Sequence, residues 1–152
     1  MSPHEQVIAK LNAAGVPFET AHHEPTRTSE DASRIRGVEM HSGAKALVVR
    51  GHKTGAHYLC VIPADLKLDS KAVKTVFGEP VGFASDLEAV TGCVPGSMPP
   101  FGSIFGLRTV VDPRLGDNET INFNAGSLTD SVRMRYDDWR NVEHPEVALI
   151  AK

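Results

Sequence analysis

Apolar positions along this chain recur with two periods, and the changes between them mark its elements. Over Glu5–Ala14, Val7, Ile8 and Leu11 form one stripe at helical spacing. Gly15 follows where a left-handed cap would stand, so the segment reads as a short amphipathic helix. Val16-Pro17-Phe18 leads into an extended segment, Glu19–His23, and Glu24-Pro25-Thr26 turns the chain. Ser29–Arg36 reads as a second helix, capped by Thr28 or Ser29, with acids in its first turn, arginines in its last and Gly37 as its stop. The stretch Gly43–Arg50 is apolar and β-branched toward its end. It reads as a strand lying mostly inside the protein, closed by Gly51, and Ala56–Ile62 reads as the strand that returns from it. Asp69 or Ser70 caps a helix that ends at Phe77 before Gly78; Val81–Ala84 is a short strand, and Ser85 caps a brief helix, Asp86–Val90. Thr109–Asp112, Thr120–Asn124 and Ser131–Arg135 read as further strands, and Tyr136–Trp139 begins a terminal helical turn.

Length and composition bound this picture. A chain of 152 residues suggests one domain, 1–152, with a sizeable core, and 41% apolar with 23% charged residues is ordinary for a globular protein. No apolar run approaches transmembrane length and Met1–Glu5 lacks the blocks of a signal peptide, so no membrane role is expected and the cytoplasm is the default location. Cys60 and Cys93 stand far apart with no CxxC spacing, which supports neither a disulfide framework nor a zinc ribbon. The net charge of −3 argues against binding nucleic acid by bulk charge, but leaves room for a local basic face.

Two stretches carry candidate chemistry. Lys45 sits near the start of an interior strand with Ala44 and Ala46 on either side. One reading is a strand-end lysine whose stem lies on apolar surface while its ammonium reaches water. The other is an ammonium aimed into a pocket, where small neighbours leave room for a ligand and low dielectric strengthens its charge. The second stretch, Thr91–Gly102, interleaves apolar residues with glycines and prolines. Such a loop is conformationally fixed, lets its backbone approach a ligand, and can turn N–H groups inward as an anion nest; a purely structural turn is the alternative. Arg34 and Arg36, and Lys71 with Lys74, are candidate phosphate contacts, although helix-dipole and solvated-face roles account for them equally. His22 and His23 are adjacent and face opposite sides of a strand, a poor spacing for a shared metal; one of them can face a pocket.

Taken in order, Gly43-Ala44-Lys45-Ala46-Leu47, Leu68–Lys74 and Thr91–Gly102, with its Gly-x-x-x-Pro at Gly96–Pro100, resemble the YbaK/ProX family, the free-standing relatives of the prolyl-tRNA synthetase editing domain. The resemblance covers nearly the whole chain. It implies an α/β fold with a mixed, barrel-like sheet flanked by helices, and hydrolysis of amino acids wrongly attached to tRNA. The family's critical lysine falls on Lys45, its ligand-cradling loop on Gly96, Ser97, Met98, Pro100 and Phe101, and its later polar loop on Asn124 to Asp130. Several relatives that clear alanine carry a histidine in that last loop. Here it has none, and Asn124, Ser127 or Thr129 are left to shape the pocket, so alanine, serine and threonine are all candidate substrates.

The chemistry so implied is hydrolysis of an ester, which needs a placed water and a stabilised oxyanion. Lys45 and a nest at Gly96, Ser97 and Met98 are the expected catalytic groups. His22, Ala46, Pro100, Phe101, Asn124, Ser127 and Thr129 are expected to bind substrate, and Arg34, Arg36, Lys71 and Lys74 to bind tRNA. Misacylated tRNA is the expected partner, with an aminoacyl-tRNA synthetase as a further one; no cofactor and no metal are expected. Two rivals stand beside this reading: a catalytically silent module that docks on tRNA or a synthetase, and a metal hydrolase using His22, His41 and His57, for which no ligand spacing speaks.

Overall fold

The computed structural model describes residues 1–26 and 28–152. Its elements follow the hydrophobic pattern closely. Helix α1 (Pro3–Ala14) starts at a capping box in which the Ser2 hydroxyl accepts from Glu5 N–H and the Glu5 carboxylate accepts from Ser2 N–H. Strand β1 (Glu19–His22) and helix α2 (Ser29–Arg36) follow, the latter capped by Thr28. Strands β2 (Ala44–Gly51) and β3 (His57–Pro63) form the expected antiparallel hairpin, with Lys45 opposite Ile62. Helix α3 (Ser70–Phe77) is capped by Asp69. Strand β4 (Val81–Phe83) precedes helix α4 (Leu87–Thr91); its cap position is Asp86 rather than Ser85, and no side chain closes it. Then come β5 (Arg108–Val111), β6 (Thr120–Asn124), β7 (Asp130–Arg135), α5 (Tyr136–Glu143) and a short β8 (Glu146–Val147) that the sequence pattern does not announce.

The strands form two sheets. One is antiparallel, in the order β1-β7-β6; the other is mixed, in the order β4-β2-β3-β5-β8, with β5 parallel to both β3 and β8. A bridge between Gly43 and Asn122 joins them, so β2 and β6 run close together at one corner. The main core fills the space between the sheets. Val48, Leu59, Val61 and Val111 from the larger sheet meet Ile121, Phe123, Val132 and Met134 from the smaller, with Val7 and Leu11 of α1 and Trp139 of α5 closing the ends. A second cluster lies on the other face of the larger sheet. There Val73 and Phe77 of α3 cover Val49, Cys60, Ile62 and Val110.

Two carboxylates hold the periphery of this frame. The Glu79 carboxylate accepts from the N–H groups of Lys53 and Thr54, the Thr54 hydroxyl and the Tyr58 hydroxyl, which fixes the β2–β3 turn. Asp112 is fully buried and accepts from Arg114 and from the N–H groups of Ile150 and Ala151, tying down the C-terminal segment. The Thr54 hydroxyl leads the bonds that hold the Glu79 carboxyl down at about 2. At Asp112 burial pushes the carboxyl up, but the bonds from Arg114 and the two chain N–H groups outweigh it and hold it at about 2 as well. A depressed folded-state pKa stabilises above the ordinary carboxylate range, and that stability is lost as pH falls from there toward 2. Asp112→Ala should leave the partly exposed Arg114 guanidinium and two buried N–H groups without their acceptor. The expected cost is ~3 kcal/mol, read as a lower urea midpoint at neutral pH, with a smaller difference from the parent near pH 2.

Candidate active site

The site is built where a sheet edge is left open. β3 covers one edge of β2 from Ala44 to Arg50, but β4 covers the other edge only from Val49 to Gly51. Between the Gly43–Asn122 bridge and Val48 O, which accepts from Ala84 N–H, that edge is unpaired among the described residues, and residues 43–48 line a cavity of about 410 Å³. Its other walls are α2 with the segment after it (Ala32, Arg36, Glu39), the Gly/Pro loop (Pro95, Gly96, Met98), Phe83 at the end of β4 with Ala84 after it, and Asn122 and Asn124 of β6.

Hydrogen-bond parity shows what this edge presents. Gly51 N–H bonds Ala56 O and Gly43 O accepts from Ala64 N–H, so the odd-numbered residues of β2 point their backbone groups at β3. Val48 O accepts from Ala84 N–H, so the even-numbered residues point to the opposite edge. The N–H and C=O of Ala46 therefore face the cavity, as a strand edge faces an incoming chain.

Lys45 stands beside them. Its side chain alternates with those of Ala44 and Ala46, so the room for a ligand comes from the open strand edge more than from small side chains on its own face. The ammonium is half-buried and donates to Leu66 O at 3.1 Å. Burial is the largest influence on it and lowers its pKa; Glu30 opposes this, Lys67 adds to it, and Asp65 opposes it. Across the cavity, Gly96 has φ +87°, a conformation that a residue with a Cβ adopts only under strain, and Leu128 packs against it. Among the described residues, neither Gly96 N–H nor Met98 N–H has a hydrogen-bond acceptor within the protein. Ser97 departs from the expected nest. It is buried, its N–H and its hydroxyl both bond Val94 O, and it does not line the cavity, so its donors are consumed by the turn.

The polar wall is organised by Arg36. Rather than reaching a surface phosphate, its guanidinium turns inward. Nε donates to Ser131 Oγ at 2.9 Å, one Nη to Asn122 Oδ1 at 2.8 Å and the other to Asn124 Oδ1 at 2.5 Å. No carboxylate pairs with it among the described residues, and burial lowers its pKa to about 10. The two amides pass the order on. Asn122 Nδ2 donates to Ser42 Oγ next to β2, and Asn124 Nδ2 donates to Thr26 Oγ1 and, at 2.7 Å, to Gly96 O. One guanidinium thus holds both the start of the β2 edge and the loop facing it.

The structure brings together Lys45, Ala46, Gly96, Met98, Asn124 and Arg36, and leaves the other sequence candidates elsewhere. Pro100 and Phe101 are buried beneath the loop, where Pro100 O accepts from Trp139 Nε1 and Phe101 stacks edge-on to Phe123; they fix the loop from behind. His22 is exposed on β1 and pairs with Asp130. Ser127 and Thr129 bond each other outside the cavity wall. Arg34 is exposed beside Asp31, and Lys71 and Lys74 lie on the exposed side of α3, away from the cavity. Asn122 and Thr26 went unnoticed in the sequence. Strand alternation carried the signal for Asn122, because it places Asn122 and Asn124 on one face, opposite Ile121 and Phe123.

The fold and site define a class, and comparison with known proteins gives it a name. A family model described as "Aminoacyl-tRNA editing domain" matches residues 23–142, and the chain belongs to that family. A relative in Escherichia coli (strain K12), the multifunctional Ser/Thr-tRNA deacylase ProXp-y, is 36% identical over 95% of this chain and 90% of its own length. The prolyl-tRNA editing protein ProX of Acetoanaerobium sticklandii is 26% identical over 93% of this chain and 91% of its own. A solved structure described as a candidate trans-editing enzyme for prolyl-tRNA synthetase superposes with a TM-score of 0.87 at 22% identity, covering 100% of this chain and 98% of that one, which bears on the fold alone. No helix among the described residues is long and apolar enough to cross a membrane.

Proposed function

We propose that this protein is a trans-editing aminoacyl-tRNA deacylase, which hydrolyses the ester of a tRNA misacylated with a small amino acid. The observation that carries the reading is the placing of Lys45 and of the Gly96 and Met98 N–H groups on the walls of one cavity at an open strand edge. Water adds to the ester carbonyl, the developing oxyanion is held by the loop N–H groups, and the bond to the terminal ribose oxygen breaks as that oxygen takes the proton. Each such donor is worth ~10² to 10³ in rate. Lys45 fixes the ester or its adjoining phosphate, and the Ala46 backbone holds the α-amino group or carbonyl of the amino acid.

Serine and threonine are the favoured substrates. A small-residue pocket alone separates alanine from serine poorly, whereas polar groups placed to bond a hydroxyl separate them well. Here the cavity wall holds Thr26, Asn122 and Asn124 around Arg36. This moves the discriminating role from Ser127 and Thr129 to Thr26 and Asn124. Deacylation of alanyl-, seryl- and threonyl-tRNA tests the reading, and absence of turnover on all three would leave the silent docking module. Thr26→Val keeps the side-chain shape and removes its hydroxyl. It should slow seryl and threonyl turnover ~10-fold relative to alanyl, whereas equal slowing on all three would take discrimination away from this wall.

A further inference from the structure

The active cavity has a neighbour. Past Phe83, a shallower depression runs over the β2–β3 turn, lined by Arg50, Gly51, His52, Lys53, Thr54, Gly55, Gly82, Phe83 and Ser85. Phe83 lines both cavities and is 72% exposed, an unusual place for a large apolar side chain. It sits on β4, the outermost strand of the larger sheet, and register places Arg50 directly opposite Gly82 beside it. The His52 ring folds over Gly82, in the space that a side chain there would need.

The charges around the two cavities are unequal. The depression beyond Phe83 is lined by Arg50, Lys53 and His52, with no acid among the described lining residues. The acids close by are already engaged. Glu79 is bonded under the turn, and Asp86 accepts from His57 and lies within the field of Arg50. On the α2 side of the active cavity, Glu39 lines the wall with Arg36, and Glu30 acts on Lys45, so the charge there is mixed.

We infer that Phe83 with Arg50, His52 and Lys53 is the docking track for the single-stranded 3′ end of the RNA that carries the ester. An exposed aromatic ring next to cations is the arrangement that binds single strands, because a base stacks on the ring while its phosphates meet the charges. With the aminoacyl group in the active cavity, the preceding nucleotides leave past Phe83, along a flank that is both aromatic and basic. The inference rests on the deacylase reading for its choice of ligand. It shifts RNA binding from Lys71 and Lys74 of α3 to β4 and the β2–β3 turn.

The test is fluorescence anisotropy of a labelled short single-stranded oligoribonucleotide ending in CCA, alongside deacylation of seryl-tRNA by the parent. Phe83→Ala should weaken oligonucleotide binding ~10-fold, and Phe83→Trp should restore it. Arg50→Gln with Lys53→Gln should flatten the dependence of log K on log salt by about 1.4, two contacts at about 0.7 each. Lys71→Glu with Lys74→Glu serves as the competing variant. Circular dichroism verifies the fold of each variant. Parent-like binding by Phe83→Ala, or loss confined to the Lys71/Lys74 variant, overturns the track. If the track variants bind normally while the parent deacylates seryl-tRNA, this inference fails and the deacylase reading stands. If the parent binds the oligonucleotide through Phe83 yet hydrolyses no misacylated tRNA, the track stands and the deacylase reading fails.

Discussion

Lys45→Ala should lose at least ~10² in kcat/KM on misacylated tRNA while the protein stays folded. The argument for intact structure comes from what the ammonium touches. Its bond within the protein is to Leu66 O, and it is half-exposed, so removal forfeits one modest hydrogen bond, about 1 kcal/mol, and a shift of roughly 2–4 °C in Tm. The argument for lost activity comes from where the side chain lies. It is a partly desolvated cation on the wall of a cavity, and across that cavity stand two N–H groups without acceptors among the described residues. Lys45→Arg should fail almost as badly. Its broad planar guanidinium cannot take the place of a compact ammonium on a strand edge where Glu30, Lys67 and Asp65 already set the local field. Initial-rate kinetics with thermal melts on the same preparations separate the outcomes. Near-parent turnover by Lys45→Ala returns Lys45 to the surface-lysine reading, and a collapse of Tm makes it a structural residue.

How far the sequence carried this site depends on which physical signal each residue leaves. Strand and helix limits were legible because periodicity and caps are local: Gly15, Gly37 and Gly78 stand at left-handed stops, and Thr28 and Asp69 are each one of the two caps the pattern offered. Lys45 stood out as a charge in an apolar strand with two readings open, and the family resemblance, with its Gly-x-x-x-Pro at Gly96–Pro100, singled out Lys45 and Gly96. β8 was not, because its two residues are a strand only through pairing with Val110 and Val111 of β5, far away in the chain. The open edge of β2 was equally hidden, since it depends on how short β4 is and where it pairs. Ser97, Pro100 and Phe101 were read with their loop. A loop motif does not say which of its residues face a ligand and which face the core, and here Val94, Trp139 and Phe123 claim those three. Arg36 was placed correctly on its helix and given the wrong surroundings. Its position in the last turn suited the dipole, and nothing local reveals that Asn122, Asn124 and Ser131 lie waiting across the sheet.

Arg36 carries the second large expectation, that Arg36→Met abolishes most activity and costs little stability. A buried guanidinium without a carboxylate is an expense to the fold, because three neutral acceptors do not replace its hydration. The sign of its pKa agrees. A folded-state value lowered to about 10 means that the charged form is disfavoured by folding, and this cost is present across the neutral range and relieved only as pH rises past that value. Methionine removes the cost and fills much of the same space. The amides it leaves behind line the cavity, where water can take over as donor to their oxygens. These opposing effects should leave Tm within about 4 °C of the parent. Activity should nevertheless fall ~10²-fold, because Asn124 without its anchor no longer holds Gly96 against the cavity, and a loop misplaced by a fraction of an ångström loses the oxyanion. Arg36→Lys should recover little, since one ammonium cannot serve three acceptors held in a guanidinium's plane. The decisive comparison is kcat/KM against Tm for the two variants: activity lost in proportion to stability would make Arg36 a structural strut, whereas activity lost at constant Tm makes it the residue that keeps the two walls of the site in register.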